Sequence, residues 1–472
     1  MENNIKGISI EELKEYETEI NELFQIEKSE TENLTENETE SFNCNDSTDK
    51  EINQEEIIPW PDEIDEKAYH GLAGEVVKAF EPYTEADNVA ILMSFLTTFG
   101  NYIGKDVFTK VSADTHSTNL FTLLIGDTAK ARKGTSWGPI RELFSRLDEF
   151  YMQEKCIGGL SSGEFLVKSI RDPKFSQEFD EEKGYFVDKV VDAGVSDKRL
   201  LVIESEFASV LNKMQKEGNT LSTMIRQAWD GYKLENSSIS NPYKATKPHI
   251  SIIGHITIEE LKKYLDNTEL FNGFANRFLW MCIRRSKLLP DAPEIPNSVY
   301  NELLLKLKDV LNWIKTLKSE DRHIKRNSEA NEMWHNLYYV LTEPKDGIIG
   351  AITSRAETQV LRLSLLYAIL DKSQFIKPEH IEAGLAIWNR CQQSVEFIFN
   401  ETGNDPIAEN ILEGLKKYGP MTQTEIYKNI FLCNVESSKI KNTLQKLSAR
   451  QKVIYKTIPT KGRPKMMWEL NK

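Results

Sequence analysis

Lysines, hydroxyls and glycines fall together in Gly126-Asp-Thr-Ala-Lys-Ala-Arg-Lys-Gly-Thr-Ser136, directly after the apolar run 120–125. A buried strand that empties into small and basic residues, followed by a helix patterned Ile140/Leu143/Phe144/Leu147, is the layout of a phosphate-binding loop. Backbone N–H groups at the helix start and a lysine ammonium converge there on nucleotide phosphates. Lys133 would hold the β- and γ-phosphates of ATP and Thr135 or Ser136 would hold Mg²⁺. Gly126, Thr128, Lys130, Arg132 and Gly134 would complete the cradle. The spacing is irregular. Counted from Gly126, Ala131 stands where a second glycine belongs and Arg132 where the lysine belongs. Counted back from Lys133-Gly134-Thr135-Ser136, the order is right but one residue late. A basic strand-to-helix turn with no ligand is the competing reading.

About seventy residues on, Arg199-Leu-Leu-Val-Ile-Glu-Ser-Glu-Phe207 is a short apolar strand ending in two carboxylates, Glu204 and Glu206. Acids at a strand end beside a phosphate loop would polarise the attacking water and hold Mg²⁺ through its shell. The next apolar run, His249-Ile-Ser-Ile-Ile-Gly-His-Ile-Thr257, also ends in polar groups. His255 and Thr257 there could read the γ-phosphate or orient water, or could simply be strand-end groups satisfied by hydrogen bonds. Arg277 in Asn272-Gly-Phe-Ala-Asn-Arg-Phe-Leu-Trp280 precedes another apolar strand, the position from which an arginine finger reaches the nucleotide of a neighbouring subunit. A surface salt bridge is its plain alternative.

These residues need a sheet to position them. Candidate strands at 120–125, 200–203, 249–254 and 278–283 alternate with helical patterns, which predicts a mostly parallel sheet covered on both faces. Ligands at such sheets sit beyond the C-terminal strand ends, where the loop and both acids fall. Helices are expected at 67–80 and 86–102 before the sheet, and at 300–318, 328–342, 355–370 and 378–399 after it.

The C-terminal stretch patterns as a winged helix. It has a helix near 411, a capped second helix after Gly419-Pro-Met-Thr-Gln-Thr-Glu-Ile426, a third over 437–448, and strands 453–456 and 466–469 across Thr460-Lys-Gly-Arg-Pro464. Lys439, Lys441 and Lys446, with Ser438 and Asn442, would line a recognition helix, and Lys461, Arg463 and Lys465 would reach DNA phosphates. Some such folds bind only protein.

The chain has 472 residues and a net charge of −14 that is unevenly spread. Residues 1–57 hold 18 acids against 4 lysines, whereas 406–472 hold 13 Lys/Arg against 5 acids. That polarity suits a chain whose C-terminal end alone touches nucleic acid. Residues 9–27 could form one helix, and 29–49, with little to bury, should be a disordered linker. No apolar run is long enough to span a membrane and no secretory signal opens the chain. Five scattered cysteines suit reduced thiols in a cytoplasm, with neither a zinc site nor a disulfide framework.

In order and wording the segments resemble the phage and mobile-element P-loop ATPases of unknown-function type that sit near plasmid replication ATPases and MCM-like AAA+ helicases. The segments that carry the likeness are Tyr69-His-Gly-Leu-Ala-Gly-Glu75, Arg132-Lys-Gly-Thr-Ser-Trp137, Gly159-Leu-Ser-Ser-Gly-Glu164, Gly194-Val-Ser-Asp-Lys-Arg-Leu200, Glu204-Ser-Glu-Phe207, Ile253-Gly-His-Ile-Thr257 and Asn272–Trp280. Residues 353–364 and 376–383 look like the helical lid of such proteins. The resemblance implies that Glu206 activates water, that Glu204 or Ser205 lies in the magnesium shell, and that Arg355 contacts a γ-phosphate. In RecA-type relatives a glutamate near Glu164 is the base instead. A hairpin within 230–247, with Lys233, Lys244 and Lys247, would grip a strand backbone in a ring channel, or would be a solvated loop.

The expected chain is therefore an α/β P-loop NTPase, AAA+/RecA-like. Its parts would be an acidic tail (1–57), a helical region (58–118), an ATPase core (119–290), a helical lid (291–402) and a winged helix (403–472). The expected function is an ATP-dependent DNA-associated motor, a replicative helicase or helicase loader of a phage or mobile element, acting as a homo-oligomeric, hexameric ring with ATP and Mg²⁺. Any primase or polymerase would be a separate chain. The alternative is a nucleotide-responsive DNA-binding initiator or defence regulator with weak turnover.

Overall fold

Five strands form one parallel sheet: β1 (Phe121–Ile125), β2 (Cys156–Ile157), β3 (Arg199–Glu204), β4 (His249–Ile256) and β5 (Leu279–Cys282). Their spatial order is β5-β1-β4-β3-β2, and every pairing is parallel. All residues of β1, β4 and β5 are buried, as both-face coverage demands. The four longer strands coincide with the runs read as strands in the sequence. The two-residue β2 is too short for any periodicity to announce it.

This is a computed structural model, and it describes residues 60–126, 133–180, 182, 184–236, 242–399, 406–432, 434–449, 453–458 and 465–471. The acidic tail with its expected helix and linker, the residues 403–405, and the candidate site residues Thr128, Lys130, Arg132, Lys461 and Arg463 lie outside the described residues. The side chains of Lys133 and Lys446 do too.

Helix α1 (Gly71–Phe80) and helix α2 (Asn88–Tyr102) precede the sheet. The Asp87 carboxylate caps α2 by accepting from Val89 N–H at 2.9 Å. α2 is apolar nearly all round because it is buried nearly all round. Its one buried amide, Asn101, donates Nδ2 to the carbonyls of Leu200 (3.0 Å) and His249 (3.2 Å), which pins the helix across β3 and β4. The helices between strands include α3 (Lys133–Leu147), α4 (Gly163–Ser169), α5 (Phe207–Met214), α6 (Leu221–Asp230) and α7 (Ile258–Tyr264).

After the sheet come helices Asn297–Thr316 and Ser328–Leu341, then α8 (Ala356–Leu370) and α9 (Pro378–Phe399). α9 lies along β5 and satisfies its outer edge. Cys391 Sγ accepts from Trp280 N–H (3.2 Å), Ser394 Oγ accepts from Cys282 N–H (3.0 Å), and Arg390 Nη2 donates to the Cys282 carbonyl (2.8 Å). An edge strand covered in this way offers no template for further pairing. One continuous cluster of buried apolar side chains runs through α1, α2, the sheet, α8 and α9.

Residues 406–470 form a second core around Ile411, Ile426, Ile440, Leu444 and Trp468. It joins helices Pro406–Tyr418 and Ser437–Ala449 to a three-stranded antiparallel sheet in which Lys465–Leu470 lies between Met421–Thr422 and Val453–Ile458. Among the described residues three more hairpins stand outside both sheets. Leu234–Asn236 with Tyr243–Ala245 falls in the segment where a hairpin was expected. The pairs Thr109–Val111 with Asp114–His116, and Lys174–Asp180 with Tyr185–Asp192, were not foreseen. Among the described residues no helix is long and apolar enough to cross a membrane.

Candidate nucleotide site and arginine cluster

Gly126 follows β1, and its N–H donates to the Ile256 carbonyl at 3.2 Å, so pairing with β4 continues to the loop mouth. α3 starts at Lys133. Gly134 and Thr135 are exposed and Ser136 is buried, which makes Thr135 the hydroxyl that a cation at the mouth could reach. Pro139 sits inside the second turn of α3. A proline there lacks the N–H that would bond the carbonyl four residues back, that of Thr135. The helix start is therefore looser than a continuous helix would be.

β4 lies between β1 and β3, so the loop, the acids and His255 arrive at one edge of the sheet. His255 is buried in β4, opposite Leu124 of β1, and Gly254 is opposite Glu204 of β3. The glycine is required. A Cβ there would stand 2.6 Å from a ring carbon of Phe207 and 2.7 Å from a methyl of Leu123. The two acids differ. Glu204 is buried, and its carboxylate accepts a short hydrogen bond from Leu160 N–H, which ties the turn after β2 to β3. Glu206 is exposed, stands at the N-cap of α5, and makes no capping bond.

Glu164 is also exposed, in the first turn of α4 after β2. Neighbouring strands are about 4.8 Å apart, so β3 lies roughly 10 Å from β1 and β2 roughly 14 Å. By position Glu206 is the nearer carboxylate to the loop. Thr257 serves the fold. It closes a capping box on α7, accepting from Glu260 N–H (3.1 Å) while its own N–H donates to Glu260 Oε2 (3.2 Å).

The two arginines fall elsewhere. Arg277 precedes β5 and Arg355 precedes α8, at the end of the sheet where β1 and β4 begin. β1 has five residues, so its beginning lies roughly 17 Å from its loop end. Arg277 is buried, donates Nη2 to Asp230 Oδ2 at 2.6 Å, and donates a short bond to the Gly273 carbonyl. Arg355 stands 3.7 Å from Asp230 Oδ1. A third arginine, missed in the sequence, completes the group. Arg362 of α8 is fully buried, lies 3.7 Å over the Trp229 ring, and donates to the carbonyls of Asn119 (3.0 Å) and Trp229 (2.9 Å). Burial pushes its guanidinium down to about 9. Its helical period marked it only as one more polar position in an apolar helix.

His70, Asp371 and His380 also gather, with their ligand atoms within 4.8 Å of one another. His380 Nδ1 accepts from Lys377 N–H (3.0 Å), so its proton is on Nε2 and points to Asp371 Oδ2 at 3.2 Å. That proton occupies the lone pair a metal would need. The triad is a hydrogen-bonded clasp between the segment before α1 and the α8–α9 turn.

In the C-terminal unit, Lys439 and Lys441 are exposed on the helix Ser437–Ala449, and Lys465 is exposed on its strand. Lys441 and Lys465 line one depression of about 960 Å³ together with Lys428 and Tyr455. No protein-family model matches this chain, and no curated protein matches it either.

Proposed function

We propose that this chain is an ATP-dependent, DNA-associated motor that works as a homo-oligomeric ring, an AAA+-like replicative helicase or helicase loader of a mobile element. The observation that carries the reading is the interposition of β4 between β1 and β3, which brings the loop, Glu206 and His255 to one sheet edge. In that role Lys133 holds the β- and γ-phosphates and Thr135 the Mg²⁺, and Glu206 orients the attacking water. The separation of Glu206 and Glu164 from β1 favours the AAA+-like arrangement over the RecA-like one. Arg355, partly exposed and a strand's length from its own loop, serves the nucleotide of a neighbouring copy, whereas Arg277, buried and paired with Asp230, is held within its own copy. The unit 406–470 is read as a winged helix that meets DNA through Lys439, Lys441 and Lys465.

Pro139 in α3 and the irregular loop spacing favour a second reading, a nucleotide-responsive DNA-binding initiator that turns ATP over slowly. One experiment separates the two. ATP hydrolysis is measured with and without single-stranded DNA, for the natural chain and Lys133→Ala, beside a mass measurement of the particle. The motor reading expects a ring-sized particle with DNA-stimulated turnover that the variant lacks. Nucleotide binding without stimulated turnover supports the second reading, and no nucleotide binding overturns both.

A further inference from the structure

A cavity of about 970 Å³ opens at the end of the sheet where β1 and β4 begin, away from the loop. Its lining carries six Lys/Arg against three Asp. Two of those acids are engaged: Asp106 pairs with Arg322 at 3.0 Å, and Asp230 holds Arg277 and Arg355. The balance of positive charge comes from separate elements. Lys105 follows α2, Lys110 sits on the outlying hairpin, and Lys247 precedes β4. Burial, and after it the nearby charge of Lys247, push the Lys105 ammonium below its ordinary value, a penalty that an anion beside it would relieve.

Three further observations mark the cavity as built for a ligand. Lys247 has φ +53°, a left-handed conformation that a lysine adopts only under constraint. Arg362 and His249, both 2 % exposed, line it, and each keeps a polar atom, Nε and Nδ1 respectively, without a hydrogen-bond partner. Aromatic faces stand beside the cations: Tyr232 is 62 % exposed, and Phe108 lies under the Lys110 ammonium at 5.5 Å.

We propose that this cavity is a second anion site, distinct from the nucleotide loop, that holds the phosphodiester backbone of a single-stranded nucleic acid. Cations distributed along a cleft, with aromatic rings between them, match a strand whose phosphates repeat and whose bases stack. A free nucleotide would call for donors converging on one polyphosphate instead. Lys247 also ends the connection from the hairpin Leu234–Asn236/Tyr243–Ala245, so a strand held here lies at that hairpin's root. The inference rests on the DNA-associated reading above and adds to it where the strand is gripped.

The test uses the full chain, a fluorescent oligo-dT strand and the double variant Lys110→Gln/Lys247→Gly. Both lysines are exposed, and glycine suits the backbone at 247, so the variant keeps its fold. Far-UV circular dichroism and a thermal melt check that it does. Each single-strand phosphate contact contributes about 0.7 to the slope of log affinity against log salt, so losing two flattens it by roughly 1.4. We expect that flattening with about tenfold weaker binding, unchanged ATP binding, and a Tyr232 crosslink to 5-iodouracil in the strand. An unaltered slope, with crosslinks confined to residues 406–471, overturns the cavity assignment and leaves the motor reading standing. Weakened ATP binding with unaltered oligo-dT binding reassigns the cavity to a nucleotide and also overturns it. If neither the natural chain nor Lys439→Glu binds the strand, the DNA-associated reading itself fails.

Discussion

Arg277 donates to Asp230 across 2.6 Å at the end of the sheet where β1 and β4 begin. Asp230 is the only carboxylate among the described residues in ion-pair contact with that arginine, and Arg355 and Arg362 crowd the same Trp229 ring. Removing one partner of a buried pair leaves the other charge uncompensated, at a cost of about 3–5 kcal/mol. Asp230→Ala is therefore expected to lower stability by that order in urea or thermal unfolding. A loss below about 1 kcal/mol would mean that the three guanidinium groups are neutralised by something other than Asp230.

Glu206 and Glu164 are both exposed, and only their distance from the loop distinguishes them. Loss of a positioned acid–base group lowers turnover by about 10²–10⁴-fold. Glu206→Gln is expected to retain ATP binding and lose turnover on that scale, with Glu164→Gln close to the natural chain. Steady-state ATP hydrolysis beside a nucleotide-binding titration reads both. The reverse order of effects would move the base to the segment after β2.

The four longer strands were legible because a strand covered on both faces must be apolar throughout, and a run such as 249–256 stands out in any window. The helices around them were legible by their period. β2 was not: two residues carry no period, and it exists because Leu201 and Val202 of β3 offer it a free edge. The Lys174–Asp180/Tyr185–Asp192 hairpin escaped because Phe175, Phe179, Phe186 and Val190 on one of its faces are interleaved with charges and cover no core. The residues of the site were legible as types in order, but their grouping was not. Arg277, Arg355 and Arg362 converge on residues 229–230 at the end of α6, and no spacing in the chain encodes that meeting.

His249 makes stability depend on pH. Its Nε2–H donates to the Gly100 carbonyl at 2.9 Å, and burial pushes the imidazole from 6.5 down to about 4. The folded state thus binds a proton less readily than the unfolded one. Stability from this group is complete above about pH 6.5 and falls as pH drops toward 4, by about 2 kcal/mol at pH 5. Thermal melts at pH 7 and 5 should show the fall, and His249→Gln should flatten part of it. His116, also pushed down to about 4 by burial, keeps a share of the dependence in that variant. An equal fall in the variant would assign the acid sensitivity elsewhere.

Under the proposed function, Gly254 would join stability to turnover. Its missing side chain admits Phe207 from the start of α5 and Leu123 from β1, both buried, at distances a Cβ cannot tolerate. Gly254→Ala must push one of them aside, and overpacking a close-packed core costs about 1–3 kcal/mol. The displaced group decides the functional effect. Phe207 follows Glu206, so moving α5 withdraws the carboxylate from the loop, whereas moving Leu123 shifts β1 and the loop itself. Withdrawal of the carboxylate lowers kcat and leaves KM for ATP nearly unchanged; a shifted loop raises KM. We expect the first pattern, because α5 is a short helix at the sheet's rim while β1 is hydrogen-bonded on both sides, to β4 and β5. ATP hydrolysis across a substrate range gives the split, and a raised KM with kcat intact would place the strain in β1.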